Sequence, residues 1–176
     1  MERNKCYHEY NELMMKHYHK SIILLATPDQ VFDYADDHTR FSSHMSSSSW
    51  MMMGSKMHIS TDSKLGKEVG SHILLEGSIL GIPMFVDEVV TEHKKPSVKT
   101  WKTVKVRNLL VIGDYVMKIE IFPQAKNSLF RVSIDYVMPD KNRWLGLLLG
   151  DWYAKWCVQQ MLDGAKKYFQ MKNLRR

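Results

Sequence analysis

Acid–base chemistry is the reaction class for which this chain carries the most material. Asp87 and His72 lie in short apolar runs, and Tyr115 and Tyr136 stand in segments where apolar and polar residues alternate. A proton acceptor beside an acidic carbon, with a hydroxyl donor for the developing enolate oxygen, is enough for a cyclisation or a dehydration. Asp87 or His72 is the candidate base, and Tyr115 or Tyr136 the candidate donor. A carboxyl buried on an apolar strand face has its pKa raised, a useful trait in a base. The plainer alternative makes the tyrosines amphipathic core residues with hydroxyls at the rim. The segment 83–93 leaves two inward faces open: Phe85, Asp87 and Val89, or Glu88 and Val90. In the second case Asp87 is merely solvated.

Other chemistries are poorly supplied. His17 and His19 share one face of an extended segment and His8 is nearby, but zinc needs three or four ligands in a tight tetrahedron, and no matching pair stands elsewhere. No metal site is expected. Cys157 falls on an apolar helical stripe, where a thiol is normally inert. No Gly-x-Ser-x-Gly elbow and no glycine-rich phosphate loop occurs, so no cofactor is expected. The 13 methionines, with Met45, Met51, Met52, Met53 and Met57 close together, suit either an adaptable pocket or ordinary core filling.

The elements that must position these residues follow from periodicity. SIILLA (21–26) reads as a buried strand. Thr27, Pro28 and Gln30 then supply an N-cap, a first-turn proline and the far end of a capping box, so the strand runs directly into a short helix. A second short helix spans 39–45, and the serine run 46–49 reads as a loop. Strands follow at 50–60, 70–79, 83–93, 97–105, 112–122 and 128–138, with a tight hairpin at Leu80-Gly81-Ile82. Close spacing without intervening helices implies an antiparallel meander. In 128–138, Phe130, Val132, Ile134 and Tyr136 oppose Arg131, Ser133 and Asp135, so one face is packed and one wet. In 112–122, Tyr115, Met117, Ile119 and Ile121 do the same. From 142 to 171 the pattern is helical, with Ala154, Cys157, Val158, Met161, Ala165 and Tyr168 on one side.

The totals fit one domain. The chain has 176 residues, 44% of them apolar, with a net charge of +6 and two cysteines, one near each end. That is long enough for a sizeable core and too sparse in cysteine for a disulfide framework. We expect reduced thiols and a cytoplasmic location. The first twenty residues show no apolar signal region, and no stretch reaches the roughly 18 apolar residues that cross a bilayer. The positive charge is scattered, apart from Lys166, Lys167, Lys172, Arg175 and Arg176. With no helix-turn-helix, zinc-finger or RNA-binding signature, no nucleic-acid partner is expected. Residues 1–18 read as an N-terminal extension and 19–172 as the domain.

Four segments carry a resemblance. SIILLATPDQVFDY (21–34) resembles an opening strand followed by a small residue, proline, an acidic residue and Val-Phe. GSHILLEGSILGIP (70–83) is a strand and hairpin. FVDEVVTEHKKPSVKTWKTV (85–104) has an acidic-Val-Pro-Trp rhythm, and 128–150 runs into the long helix. Together they resemble the START-like, or SRPBCC, superfamily, in its polyketide cyclase/dehydrase and lipid-transport branch. The resemblance implies an α+β helix-grip fold. In that fold a curved antiparallel sheet wraps around a long C-terminal helix, with two short helices after the first strand. It also implies a cavity between sheet and helix for an apolar small molecule such as a lipid, isoprenoid or polyketide. The family has no universal catalytic signature to carry over, and fold does not give function.

Within that frame Phe85, Trp101, Tyr115, Met117, Ile134 and Tyr136 are the expected cavity walls. The helix start is different. Leu145, Leu148, Leu149, Trp152 and Trp156 lie opposite the later apolar stripe, with Trp144 just before them. One helix cannot turn both stripes to one sheet, and an exposed apolar patch usually marks an interaction site. Trp144, Leu148, Leu149, Trp152 and Trp156 are therefore the candidate gate or docking face. They would close the cavity mouth, form a homodimer contact or rest on a membrane surface. Three functions follow: carriage or sequestration of the apolar ligand, a cyclase/dehydratase-like enzyme, or an interaction module using the Trp-rich face.

Overall fold

The computed structural model describes residues 15–41, 57–79 and 81–174. The chain opens with strand β1 (Lys16–Leu24), then helices α1 (Pro28–Ala35) and α2 (His38–Phe41). Six strands follow: β2 (Met57–Thr61), β3 (His72–Ile79), β4 (Ile82–Lys94), β5 (Val98–Arg107), β6 (Tyr115–Gln124) and β7 (Asn127–Tyr136). Helix α3 (Arg143–Leu174) closes the fold. The strands form one curved antiparallel sheet in the order β1-β7-β6-β5-β4-β3-β2. This is the helix-grip arrangement expected from the sequence. The first strand is longer than the SIILLA run and starts at Lys16, which pairs with Tyr136. Residues 16–18, assigned above to the extension, thus belong to the sheet. The second helix is seen as far as Phe41. Residues 1–14, with His8, and the segment 42–56, with its serine run and four of the clustered methionines, lie outside the described residues.

Local chemistry explains the joints. The Thr27 side chain accepts from the Gln30 backbone N–H while the Gln30 side chain accepts from the Thr27 N–H, completing the capping box at α1. Ile79 pairs with Ile82 across the β3–β4 turn, where Gly81 has φ +77°, a conformation that glycine adopts without strain. Between β4 and β5 the register shifts. Asp87 pairs with Lys105 but Glu88 with Thr103, leaving Val104 as an extra residue. Such a bulge bends a strand and re-aims its side chains. Because of it, Lys99, Trp101 and Thr103 are buried on one side of the break and Val106 turns inward on the other.

The core lies between the concave face of the sheet and the three helices. Met117, Ile119 and Ile121 of β6 and Phe130, Val132, Ile134 and Tyr136 of β7 are buried there, as their alternation predicts. Helix α3 buries Ala154, Cys157, Val158, Met161, Leu162, Ala165 and Phe169 against them. Its first turns approach the sheet end through glycines instead. A Cβ on Gly146 would stand 2.5 Å from Pro139 Cδ, and one on Gly150 would stand 3.0 Å from the Val111 carbonyl oxygen. The two stripes on α3 therefore do not compete. The glycine side packs at the helix start, and the leucine and tryptophan side faces solvent.

Gly146→Ala sets two terms against each other. Helix propensity favours alanine by roughly 1 kcal/mol, while overpacking against a rigid proline ring costs about 1–3 kcal/mol. We expect a net loss of up to about 2 kcal/mol, read as a lower melting temperature. A rise would mean that Pro139 yields freely.

Candidate functional site

The inward face of β4 carries Met84, Val86, Glu88 and Val90, all buried. Glu88 is thus a carboxyl on an otherwise apolar wall. The Tyr115 hydroxyl donates to Glu88 Oε1 at 2.5 Å, and the Trp101 side chain hydrogen-bonds it as well. Burial pushes the Glu88 pKa up from 4.5 to about 7, against the lowering effect of those two bonds and of the Lys99 charge. Burial, and then the neighbouring Glu88, hold the Tyr115 pKa well above 10. On the facing side of α3, Tyr153 and Cys157 hydrogen-bond one another. Burial raises the Cys157 thiol to about 12, so it stays a thiol and not a nucleophile.

These groups line one cavity between sheet and helix. Leu75, Met84, Val86, Trp101, Met117, Ile134 and Met161 complete its walls, and Leu109 and Ile112 close one end. Its free volume is about 40 Å³, room for on the order of two or three waters. Small-molecule sites span about 300–1,000 Å³, so the cavity is nearly filled by its own side chains. Beyond Leu109 and Ile112 lies an open groove of about 330 Å³, between the β5–β6 loop and the segment 137–142 that leads into α3. Leu109 and Ile112 line both spaces.

A second polar cluster sits under α1 and α2. Lys99 of β5 is 0% exposed, and its Nζ donates to Asp36 Oδ1 at 2.6 Å. His93 Nε2 lies 3.0 Å from the same oxygen. Burial lowers the Lys99 pKa in spite of its partner. The His38 ring stacks edge-on against Trp101 at 5.1 Å. Among the described residues, its Nε2 is buried without a hydrogen-bond partner. Burial, and then the Lys99 charge, hold its pKa well below 6.5, so the ring is neutral.

The sequence-derived candidates divide. Trp101, Tyr115, Met117 and Ile134 line the cavity. Phe85, Asp87 and His72 do not. Among the described side chains of β3 and β4, those that point inward are Ile73, Leu75, Met84, Val86, Glu88 and Val90. Asp87 and His72 therefore meet on the outer face, with His72 Nδ1 2.7 Å from Asp87 Oδ1. Phe85 lies beside them under the Lys105 ammonium. This corrects the assignment of Asp87 and His72 as bases facing a cavity, and of Phe85 as its wall. Tyr136 is buried but outside the cavity, and its hydroxyl donates to Asp151 of α3. Trp144, Leu148, Leu149 and Trp152 are exposed, whereas Trp156 is partly buried beside Tyr153. His17 bonds to His19 and Asp135 on the outer side of the β1 edge. Among the described residues no His, Cys, Asp or Glu cluster has the makings of a metal site, and no helix is long and apolar enough to cross a membrane.

No family model and no curated protein sequence matches the chain. Solved structures do. A norcoclaurine synthase point mutant from Thalictrum, in complex with a transition-state analogue, superposes with a TM-score of 0.62. It is 14% identical over 90% of this chain and 96% of that one. Protein TTHA0849 from Thermus thermophilus superposes at 0.61, with 11% identity over 89% and 99%. The ginseng major latex-like protein 151 superposes at 0.51, with 16% identity over 87% and 98%. The helix-grip fold is shared with these structures. The likeness lies in the sheet that grips the long helix, the architecture that four sequence segments had indicated.

Proposed function

We propose that the chain binds an apolar small molecule carrying one hydrogen-bonding group, in the cavity between the sheet and α3. The observation that carries this reading is Glu88. A carboxyl in an apolar wall weakens the fold unless it is paired with a charge, and its bonded partners here are a tyrosine hydroxyl and an indole. Strongly perturbed groups of this kind cluster at functional sites. The walls supply affinity through carbon burial, at about 0.8 kcal/mol per CH₂, and Glu88 with Tyr115 orients the polar end. The ligand reaches them when Leu109 and Ile112 swing aside and join groove to cavity. Carriage or sequestration of a lipid, isoprenoid or polyketide fits this arrangement.

The test is titration with 1-aminoanthracene, an apolar ring system bearing one amine. We expect saturable binding that Cys157→Met, which fills the cavity with a flexible chain, weakens at least about tenfold in a protein whose circular dichroism spectrum is still that of the folded state. Equal binding by the two proteins would remove the cavity from the reading.

A second reading is enzymatic, and it rests on Glu88 titrating near neutrality beside a hydroxyl donor. In a cyclase- or dehydratase-like step, the Glu88 carboxylate would take a proton from the carbon next to a carbonyl. Tyr115 would donate a hydrogen bond to the enolate oxygen that forms. The norcoclaurine synthase that shares the fold is seen in complex with a transition-state analogue, so the architecture can house catalysis. Retained turnover of a polyketide-type substrate by Glu88→Gln would exclude this role.

A further inference from the structure

We propose that the end of the molecule formed by the start of α3 and the β5–β6 loop docks on an anionic membrane surface, where the apolar ligand is exchanged. The proposal rests on the cavity reading above and adds the surface that serves it. Trp144, Leu147, Leu148 and Trp152 follow one another at helical spacing, and they are 63%, 69%, 70% and 50% exposed. A stripe two turns long, with tryptophan at both ends, has the make-up of a segment that lies in the headgroup region.

Two further observations favour a charged lipid surface over a second copy of the chain. Arg107, Lys141 and Arg143 are exposed around the stripe and the groove. The acid within the stripe, Asp151, is neutralised by Lys16 at 2.6 Å. The groove itself holds two acids, Asp114, which accepts from the Thr103 hydroxyl, and Asp140. Set against these two and Asp151, the cations Lys16, Arg107, Lys141 and Arg143 leave a small positive excess on this end. Two copies joined through it would set like charges together, whereas an anionic leaflet attracts them. The groove opens at this same end, and Leu109 and Ile112 separate it from the cavity. A molecule docked here would present the cavity mouth to the lipid.

The full chain is to be floated at low salt with vesicles of phosphatidylcholine alone and of phosphatidylcholine with about one third phosphatidylserine. We expect binding to the anionic vesicles that falls on addition of salt. Trp144→Ala with Leu148→Ala, and separately Lys141→Glu with Arg143→Glu, should each weaken it at least about tenfold. The melting temperature should hold, because these side chains are exposed. No flotation with anionic vesicles, or flotation that neither pair changes, overturns the proposal. So does a dimer on gel filtration that the Trp144 and Leu148 pair dissolves. Uptake of 1-aminoanthracene without vesicles separates the two readings. Its loss with flotation intact removes the cavity alone, and the reverse removes the docking surface alone.

Discussion

Asp36→Ala should destabilise the fold by about 3–5 kcal/mol, the largest effect we expect of any single change described. Lys99 is fully enclosed, and its close partner is the Asp36 carboxylate, with the Asp36 backbone oxygen farther off at 3.4 Å. Removing the carboxylate leaves an ammonium group in an apolar interior and takes the hydrogen bond from His93 too. Lys99→Met removes the same ion pair from the other side and should cost far less. Asp36 keeps His93, has some contact with solvent, and methionine fills the lysine's path. The pH dependence of Asp36→Ala has a definite sign. Burial already lowers the Lys99 pKa below its unfolded 10.5, and the variant loses the two larger effects that raise it, keeping only that of the Glu88 charge. The unfolded state then binds more protons than the folded state below 10.5, so the variant gains stability as pH rises toward that value. Urea unfolding of the three proteins at neutral and alkaline pH would show it. Equal losses for the two variants would mean that water reaches Lys99.

Glu88→Gln should stabilise the protein at pH 8 by about 3 kcal/mol. The folded carboxyl titrates at about 7 against 4.5 unfolded. Between those values the folded state holds a proton that the unfolded state has lost. This contribution to stability is whole below pH 4.5 and is lost as pH rises through about 7. The glutamine variant has no such proton to lose, and its amide oxygen can still accept from Tyr115. Below pH 4.5 the two proteins should differ little, and above it their curves should part. Neutral His38 pulls the other way, its lowered pKa adding stability as pH rises. That term is common to both proteins and leaves their difference. Denaturation curves at about four pH values from roughly 5 to 8 check this, and parallel profiles would place Glu88 in contact with water. A natural sequence that keeps such a carboxyl retains a destabilising group, which is the energetic side of the proposed binding role.

What the sequence disclosed about this site differed from strand to strand. In β6 and β7 the side chains alternate without interruption, so Tyr115, Met117 and Ile134 could be assigned to the inner face directly. In β5 the extra residue at Val104 breaks the period, whereas β4 alternates regularly from Met84 to Val90 but has apolar residues on both faces. Phe85, Asp87 and Val89 made a plausible set of three. The deciding pattern was Met84, Val86 and Val90 around Glu88, and a lone acid among three apolar positions looks more like a solvated residue than a buried one. Lys99 was invisible for the same reason: a lysine between Val98 and Thr100 is ordinary on a wet face. Its burial depends on Asp36, which stands 63 positions away and enters only through the tertiary fold. The helix stripe was legible because it conflicts with its own second half. Its exposure followed once Gly146 and Gly150 were seen to claim the packed side.

The strand order has one more implication. Strands β2 to β7 each pair with a neighbour in sequence, but β1 pairs only with β7. Ser21 and Arg131, which touch across that pairing, are 110 positions apart. During synthesis β1 is made before the other strands described, and its partner β7 is made after all of them. Closing so long a loop comes late in folding. Until then β1 waits as an unpaired edge, and Lys16, His17, His19 and Lys20 make it a poor template for a strand from another chain.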